Sequence, residues 1–421
     1  MIFDSRPILA LILRKFFHRS LYILILELSI CINYTLLVIK RALAPKVKRL
    51  SSLYPVIAIT GPRQSGKTTL AREIFPKHLY LNLENLDLLA AARTDPRGFL
   101  RLGSKQKIII DEIQKLPDLL SYIQVEADEQ KISGQFIITG SQQFELSEKI
   151  SQSLAGRVAN FTLLPLAISE IDNLPAYEKL AVSGFYPRLY DRPIPPKDYY
   201  RDYLSTYVER DVRQIKNVGD LSSFQRFLQL AAGRIGQIIN LSSLASDTGV
   251  SSRTAESWLS VLETSYIIFR LQPYFQNYGK RVIKSPKIYF YDTGLLCYLL
   301  GIDTPNELSL HFATGHIFEN MAIADRLKKI FNERSSDRLY FFRDNNGLEL
   351  DLVIDHGGIQ TGIEIKSGKT FNADMLVNLS VWQKINSHAD KTGYLIYNGD
   401  LEQKIGSNKI INWKSFAGQL E

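Results

Sequence analysis

Residues 61–68 read Gly-Pro-Arg-Gln-Ser-Gly-Lys-Thr, after an apolar run at 56–60 and before a helical pattern at 67–74. No other stretch of the chain restricts its fold so tightly. Glycines at both ends let successive backbone N–H groups turn inward around an anion, and the helix that follows offers its positive end to the same charge. The spacing assigns Lys67 to the β- and γ-phosphates of a nucleotide and the Thr68 hydroxyl to Mg²⁺. Gly61, Pro62, Arg63, Gln64, Ser65, Gly66 and Thr69 complete the expected loop, so ATP and Mg²⁺ are the expected ligands. A strand that passes through such a loop into a helix opens a parallel sheet, because parallel neighbours need a crossover connection.

The next hundred residues continue the pattern. Short apolar strands are predicted at 78–83, 107–111, 135–140 and 158–164, with a helix at 116–127. Such alternation means the α/β class, a parallel sheet covered on both faces. The run Ile108-Ile109-Ile110 delivers Asp111 and Glu112 to the carboxyl edge of the sheet, where ligands bind in such folds. Asp111 is expected in the Mg²⁺ shell and Glu112 as the base that takes a proton from the attacking water. A capping pair for the next helix is the plain alternative. Ser141 or Gln142, at the end of the fourth strand, is a candidate for orienting that water or sensing the γ-phosphate, with an ordinary strand-end turn as the alternative. Arg157 is a candidate for stabilising transition-state charge, in cis or from a neighbouring subunit.

Residues 171–235 read as a connector rich in proline as far as 196, then a helical region with aromatic spacing at Tyr199, Tyr203 and Tyr207 and at Phe224, Phe227 and Leu228. Residues 236–300 outline a winged helix-turn-helix, with helices at 241–246 and 251–263 and an extended stretch at 266–273. Between 249 and 290, Arg253, Arg270, Lys280, Arg281, Lys284 and Lys287 outnumber Glu256 and Glu263. Tyr274, Phe275 and Tyr278 are interleaved, which suits a surface that tracks a nucleic-acid backbone; a docking module with aromatic core residues is the alternative.

In residues 301–421, Glu364-Ile365-Lys366 sets an acid and a lysine on one face of a strand. Asp351 lies on the preceding strand, across a hairpin turn at 355–358. Two carboxylates able to share a divalent cation, Glu319 completing its shell and Lys366 balancing charge, form a phosphodiester-cleaving constellation. A solvated hairpin with an ordinary salt bridge is the alternative.

The formal charge of +8 is unevenly spread: the first fifty residues hold nine Lys/Arg against Asp4 and Glu27, leaving the rest close to neutral. Any nucleic-acid footprint is therefore local rather than general. Cys31 and Cys297 lack ligand-spaced neighbours, which argues against a disulfide framework or zinc site and for a reducing compartment. The expected location is cytoplasmic. Segment 20–39 is apolar, with Glu27 its one charge, and is long enough to span a bilayer. An amphipathic lead-in helix, or a start assigned too far upstream, are the alternatives to a membrane tether, and membrane association is not favoured.

Several runs resemble the prokaryotic AAA-type P-loop ATPases that carry a C-terminal domain of unknown function. They are GPRQSGKTT from Gly61, IIIDEIQKLPDLL from Ile108, ITGSQ from Ile138, SLAGRV from Ser153, YLSTYVERDV from Tyr203 and YDTGL from Tyr291. FFRDNNGLELDLVID from Phe341 and GIEIKSG from Gly362 extend the likeness, which covers roughly Arg41 to the C-terminus. The resemblance implies an ATPase domain at 45–170, a winged helix at 236–300 and a restriction-endonuclease-like α/β domain at 301–421; the residues themselves add a hydrophobic extension at 1–44 and the connector and helical region at 171–235. It maps the PD-(D/E)xK positions of that last domain onto Glu319, Asp351, Glu364 and Lys366. Two functions are implied: an ATPase acting on DNA through a nuclease-like domain, alone or as a homo-oligomer, or an ATP-driven signalling or scaffolding switch whose last domain binds a protein partner.

Overall fold

The computed structural model describes residues 39–102, 106–141, 149–150, 152–208, 221–274 and 285–419. The described strands and helices all lie within residues 40–421. Apart from Ile39, the candidate membrane segment lies outside the described residues. Among those described, no helix is long and apolar enough to cross a membrane.

The first sheet contains β1 (Val56–Gly61), β2 (Leu79–Asn82), β3 (Ile108–Asp111), β4 (Phe136–Ser141) and β5 (Val158–Thr162). Their order is β2-β3-β4-β1-β5 and every pairing is parallel. Alternate residues feed opposite faces. Val56, Ala58, Ile108, Ile110 and Ile138 enter one apolar cluster; Ile57, Ile59, Ile109 and Ile137 enter the other. Each buried Val or Ile contributes roughly 1.5–3 kcal/mol, so the sheet is held from both sides. The helix expected at 116–127 instead spans Leu119–Gln130. Pro117 accounts for the shift, since a proline disfavours helical geometry in the residue before it.

Residues 171–196, expected to be a plain connector, contain the helices Tyr177–Ser183 and Arg188–Asp191. Prolines here open helices rather than prevent them, as Pro187 does at the cap of the second. The helix Pro196–Tyr203 buries Tyr199, Tyr200 and Tyr203 around Tyr186, whose hydroxyl donates to that of Tyr203 at 2.7 Å.

The helix pair comes next as Leu241–Thr248 and Ser252–Thr264, joined through Gly249 at φ 80°. Asn240 and Ser251 cap the two N-termini through their side chains. Trp258 packs edge-on against Phe224 and Phe227 of the helix Leu221–Ala232. After the pair, β6 (Ile268–Pro273) pairs antiparallel with β7 (Lys287–Phe290). This hairpin does not end at a domain edge. The last residues of β6 pair with β8 (Arg338–Arg343), which adjoins β9 (Glu349–His356) and β10 (Ile359–Lys366). With β11 (Tyr394–Tyr397), β12 (Gln403–Ile405) and β13 (Asn408–Asn412) they make one sheet ordered β12-β13-β11-β10-β9-β8-β6-β7. The helix Thr314–Glu333 docks on its end, where the Asn320 amide satisfies both N–H and C=O of Phe290 at 2.7 and 2.9 Å.

Candidate functional site

The register of the parallel sheet aligns Gly61 with Ser141 and Asn82 with Asp111, so β1, β3 and β4 end at one edge. The helix Lys67–Ile74 starts there, capped by Gly66 in the left-handed region at φ 91°. Lys67 is buried, its Nζ donating to the carbonyls of Gly61 at 3.2 Å and Pro62 at 2.7 Å. Gln64 also adopts a positive φ, which gives the loop its inward turn without a glycine at that position.

Asp111 is the hub of this edge. Its Oδ2 accepts from Thr68 Oγ1 at 2.8 Å and from the Tyr80 hydroxyl at 2.7 Å, while Oδ1 accepts from Thr139. Glu112 lies next in the left-handed region at φ 57°, an uncommon conformation for a residue with a Cβ. Burial raises the pKa of its carboxyl, Lys67 pulls it down and Asp111 pushes it up again; the net direction is upward. The Gln114 amide donates to Glu112 and, at 2.9 Å, to Ser141 Oγ. Sequence reading missed Tyr80 and Thr139, since only sheet order brings β2 and β4 side chains to Asp111, and also Gln114, in the turn directly after β3.

Arg157 lies elsewhere. It immediately precedes β5, and its carbonyl accepts from Val56 N at the start of β1. The loop lies at the other end of β1, about 17 Å away at 3.3 Å per residue. Its guanidinium pairs with Asp128. The direction of the strands thus places Arg157 at the opposite end of β1 from this loop.

The four acid and lysine positions of the C-terminal region come together, but in two groups. Lys366 Nζ bonds Asp351 Oδ2 at 3.0 Å and Glu364 Oε2 at 2.6 Å. Asp351 Oδ2 also accepts from Ile365 N at 2.8 Å. Burial and the charge of Asp351 push the Glu364 carboxyl up to about 8, against the pull of Lys366. Glu364 Oε1 is buried and makes no hydrogen bond. Glu319 belongs to the second group, accepting from the Tyr289 hydroxyl at 2.5 Å and from Lys287 Nζ at 3.4 Å. Lys287 also pairs with Glu349 at 2.7 Å. In this structure the hydroxyl and ammonium of β7 take up the Glu319 carboxylate, and the charge of Asp351 also acts on that Lys287 ammonium. Among the described residues, no three acidic, histidine or cysteine side chains form a ready metal shell.

The basic surface expected at 249–290 also changes. Arg270 is committed to Glu256 and Glu263, and Lys287 is buried. Tyr274 packs into the core of the C-terminal sheet beside Tyr340 rather than facing solvent. Phe275, Tyr278, Lys280, Arg281 and Lys284 lie outside the described residues.

Residues 53–172 match the AAA domain family, 174–306 a domain of unknown function (DUF8612) and 314–416 another (DUF4143). The uncharacterized protein Rv2008c of Mycobacterium tuberculosis is 32% identical over 336 residues, covering 80% of this chain and 75% of that one. The chain belongs to its family. A protein of Haemophilus influenzae, also uncharacterized, is 25% identical over 58% of this chain and 68% of its own. Solved structures with some likeness include the Walker-type ATPase PABY2304 of Pyrococcus abyssi, at 13% identity, TM-score 0.42 and coverage of 61% and 94%. AMPPCP-bound DnaA from Aquifex aeolicus shows 12% identity, TM-score 0.28 and coverage of 52% and 85%. The family thus joins a P-loop ATPase domain of the AAA type to two domains of unassigned function, and the phosphate loop lies within the first.

Proposed function

We propose that this AAA-family chain binds Mg·ATP on residues 61–69 and hydrolyses it with Glu112 as general base. The bond between Thr68 Oγ1 and Asp111 Oδ2 carries the reading, because it brings together the two protein oxygens expected in the ion's shell at the edge where the loop opens. Lys67 leaves the Gly61 and Pro62 carbonyls for the phosphates, exchanging two neutral acceptors for charged ones. Thr139 and Tyr80 hold Asp111 still, and Gln114 links Glu112 to Ser141, the side chain we assign to the γ-phosphate or its attacking water. Bound Mg²⁺ supplies charge neutralisation on the phosphate oxygens. Purified Lys67→Ala is expected to lose nucleotide binding, and Glu112→Gln to bind ATP normally while turnover falls by about 10²-fold or more. Normal turnover in Glu112→Gln removes the proposed base.

For the C-terminal region we infer a metal-assisted phosphodiester site at Asp351, Glu364 and Lys366, acting on DNA. Two carboxylates crowded against one ammonium, one of them with its pKa pushed up to about 8, favour this over an ordinary salt bridge, since a cation would relieve their repulsion. The order helix, three antiparallel strands, helix and parallel strand also agrees with a nuclease-like core. Asp351 and Glu364 would hold the cation, which polarises a phosphate, and Lys366 balances charge beside it. Mn²⁺-dependent nicking of a DNA panel, lost in Glu364→Ala, is the expected result. Undiminished nicking in that variant rejects the assignment, and no nicking by the wild type favours the signalling or scaffolding switch. Arg157 retains a proposed role only on the nucleotide of a second copy, which light scattering with and without ATP tests.

A further inference from the structure

Arg41 precedes the AAA-domain match and is only 7% exposed. Its guanidinium makes three well-separated bonds. Nη1 donates to the Ser65 carbonyl at 2.7 Å, Nη2 to the Leu164 carbonyl at 2.7 Å and Nε to Glu170 Oε1 at 3.0 Å. Glu170 is itself fixed, because Ala42 N donates to Oε1 at 2.6 Å and Ala167 N to Oε2 at 2.8 Å. On the other side of the loop, Leu163 N donates to the Thr60 carbonyl at 2.8 Å, and the Leu163 carbonyl lies so close to Gly61 that a Cβ there would approach within 2.3 Å. Arg41 therefore joins the last part of the phosphate loop to the segment that backs its first glycine.

The peptide plane gives this contact a consequence. In a trans peptide unit the C=O and the following N–H point in opposite directions. A guanidinium that holds the Ser65 carbonyl outward turns the Gly66 N–H inward, toward the place where phosphate oxygens bind. We propose that Arg41 is a positioning residue for nucleotide binding, which presets the Ser65–Gly66 peptide so that the loop need not be ordered by the ligand. The inference rests on the ATP-binding reading of residues 61–69. Lysine cannot reproduce it, because one ammonium does not span three acceptors fixed in a planar fork.

Binding of a fluorescent ATP analogue and steady-state turnover, measured on the full chain, test the proposal. Arg41→Lys keeps a charge beside Glu170 and is expected to raise the nucleotide Kd about tenfold, the loss of one charge-assisted hydrogen bond. Turnover at saturating ATP should stay within twofold, since Asp111 and Glu112 are untouched. Glu170→Gln, which frees Arg41 without removing it, is expected to give a smaller rise and serves if Arg41→Lys does not fold. Asp325→Asn is the control: Asp325 accepts from Ile168 N at 2.6 Å on the same segment without reaching the loop. It should lower Tm and leave the Kd unchanged. A wild-type Kd in both Arg41→Lys and Glu170→Gln overturns the proposal, as does an equal loss in Asp325→Asn. A wild type that binds nucleotide without turnover defeats only the hydrolysis reading, whereas one that does not bind defeats both.

Discussion

At the scale of single residues, the edge beside the phosphate loop sets two neighbouring acids in different surroundings. Asp111 is held by hydroxyl donors from Thr68, Tyr80 and Thr139. Glu112 is desolvated, so its proton is held more tightly than on an exposed glutamate. A general base must be deprotonated, and a raised pKa means that turnover falls sooner as pH drops. The acid limb of kcat against pH is expected to lie above about 4.3, the ordinary glutamate value. A limb at or below that value counts against Glu112 as the base. The stability sign is the reverse: a carboxyl with a raised folded-state pKa contributes stability below its unfolded pKa, and this is lost as pH rises through the folded value. Rising pH thus favours activity and removes that residue's contribution to folding.

At the scale of elements, the junction of β1 with the helix Lys67–Ile74 leaves no room for variation at Gly61. Its φ is +142°, and a Cβ would meet the Leu163 carbonyl oxygen at 2.3 Å, a backbone atom that cannot swing aside. Gly61→Ala is expected to cost about 2–3 kcal/mol, as overpacked sites do, and to lower Tm by at least about 4 °C. Thermal melting with unchanged Tm shows that β5 and the segment after it can shift. The elements were mostly legible in the sequence. Lys67–Ile74 begins and ends where its periodicity predicts, and β1, β3 and β4 differ from prediction by a residue. The misread elements were Tyr177–Ser183 and Arg188–Asp191, where prolines that read as breakers stand before short helices.

At the scale of the whole molecule, the C-terminal sheet is not confined to residues after 300. Pairing of β6 with β8 carries it back through the hairpin that succeeds the helix pair. Tyr289 and Lys287, both on β7, supply the partners of Glu319. A fragment of residues 301–421 lacks these strands, exposes the edge of β8 and leaves Glu319 with His316 but without Tyr289 and Lys287. It is expected to give broad, poorly dispersed amide spectra and to aggregate, whereas a fragment starting at 221 should fold. Well-dispersed spectra from the shorter piece disprove the dependence of β8 on β6 and β7. The segment after β5 ties the ATPase to the same region, since Lys328 donates to the Leu166 carbonyl at 3.0 Å and Asp325 accepts from Ile168 N. Burial lowers the Lys328 ammonium to about 8, with Asp292 and Asp325 opposing that shift.

The phosphate loop, the strand that precedes it and the acids at the end of β3 were all written in the chain itself. They depend on local chemistry: a glycine-rich turn, a helix start and an apolar run ended by charge. Which distant side chains surround them was left to tertiary structure. Tyr80 and Thr139 reach Asp111 only because β2 and β4 flank β3, and Arg41 reaches Ser65 only because Glu170 returns to it across 129 positions. Packing also set Glu319 against Tyr289 and Lys287 of β7 and put Arg157 at the end of β1 away from the loop. No spacing along the chain encodes those outcomes, because they arise from strand order and direction.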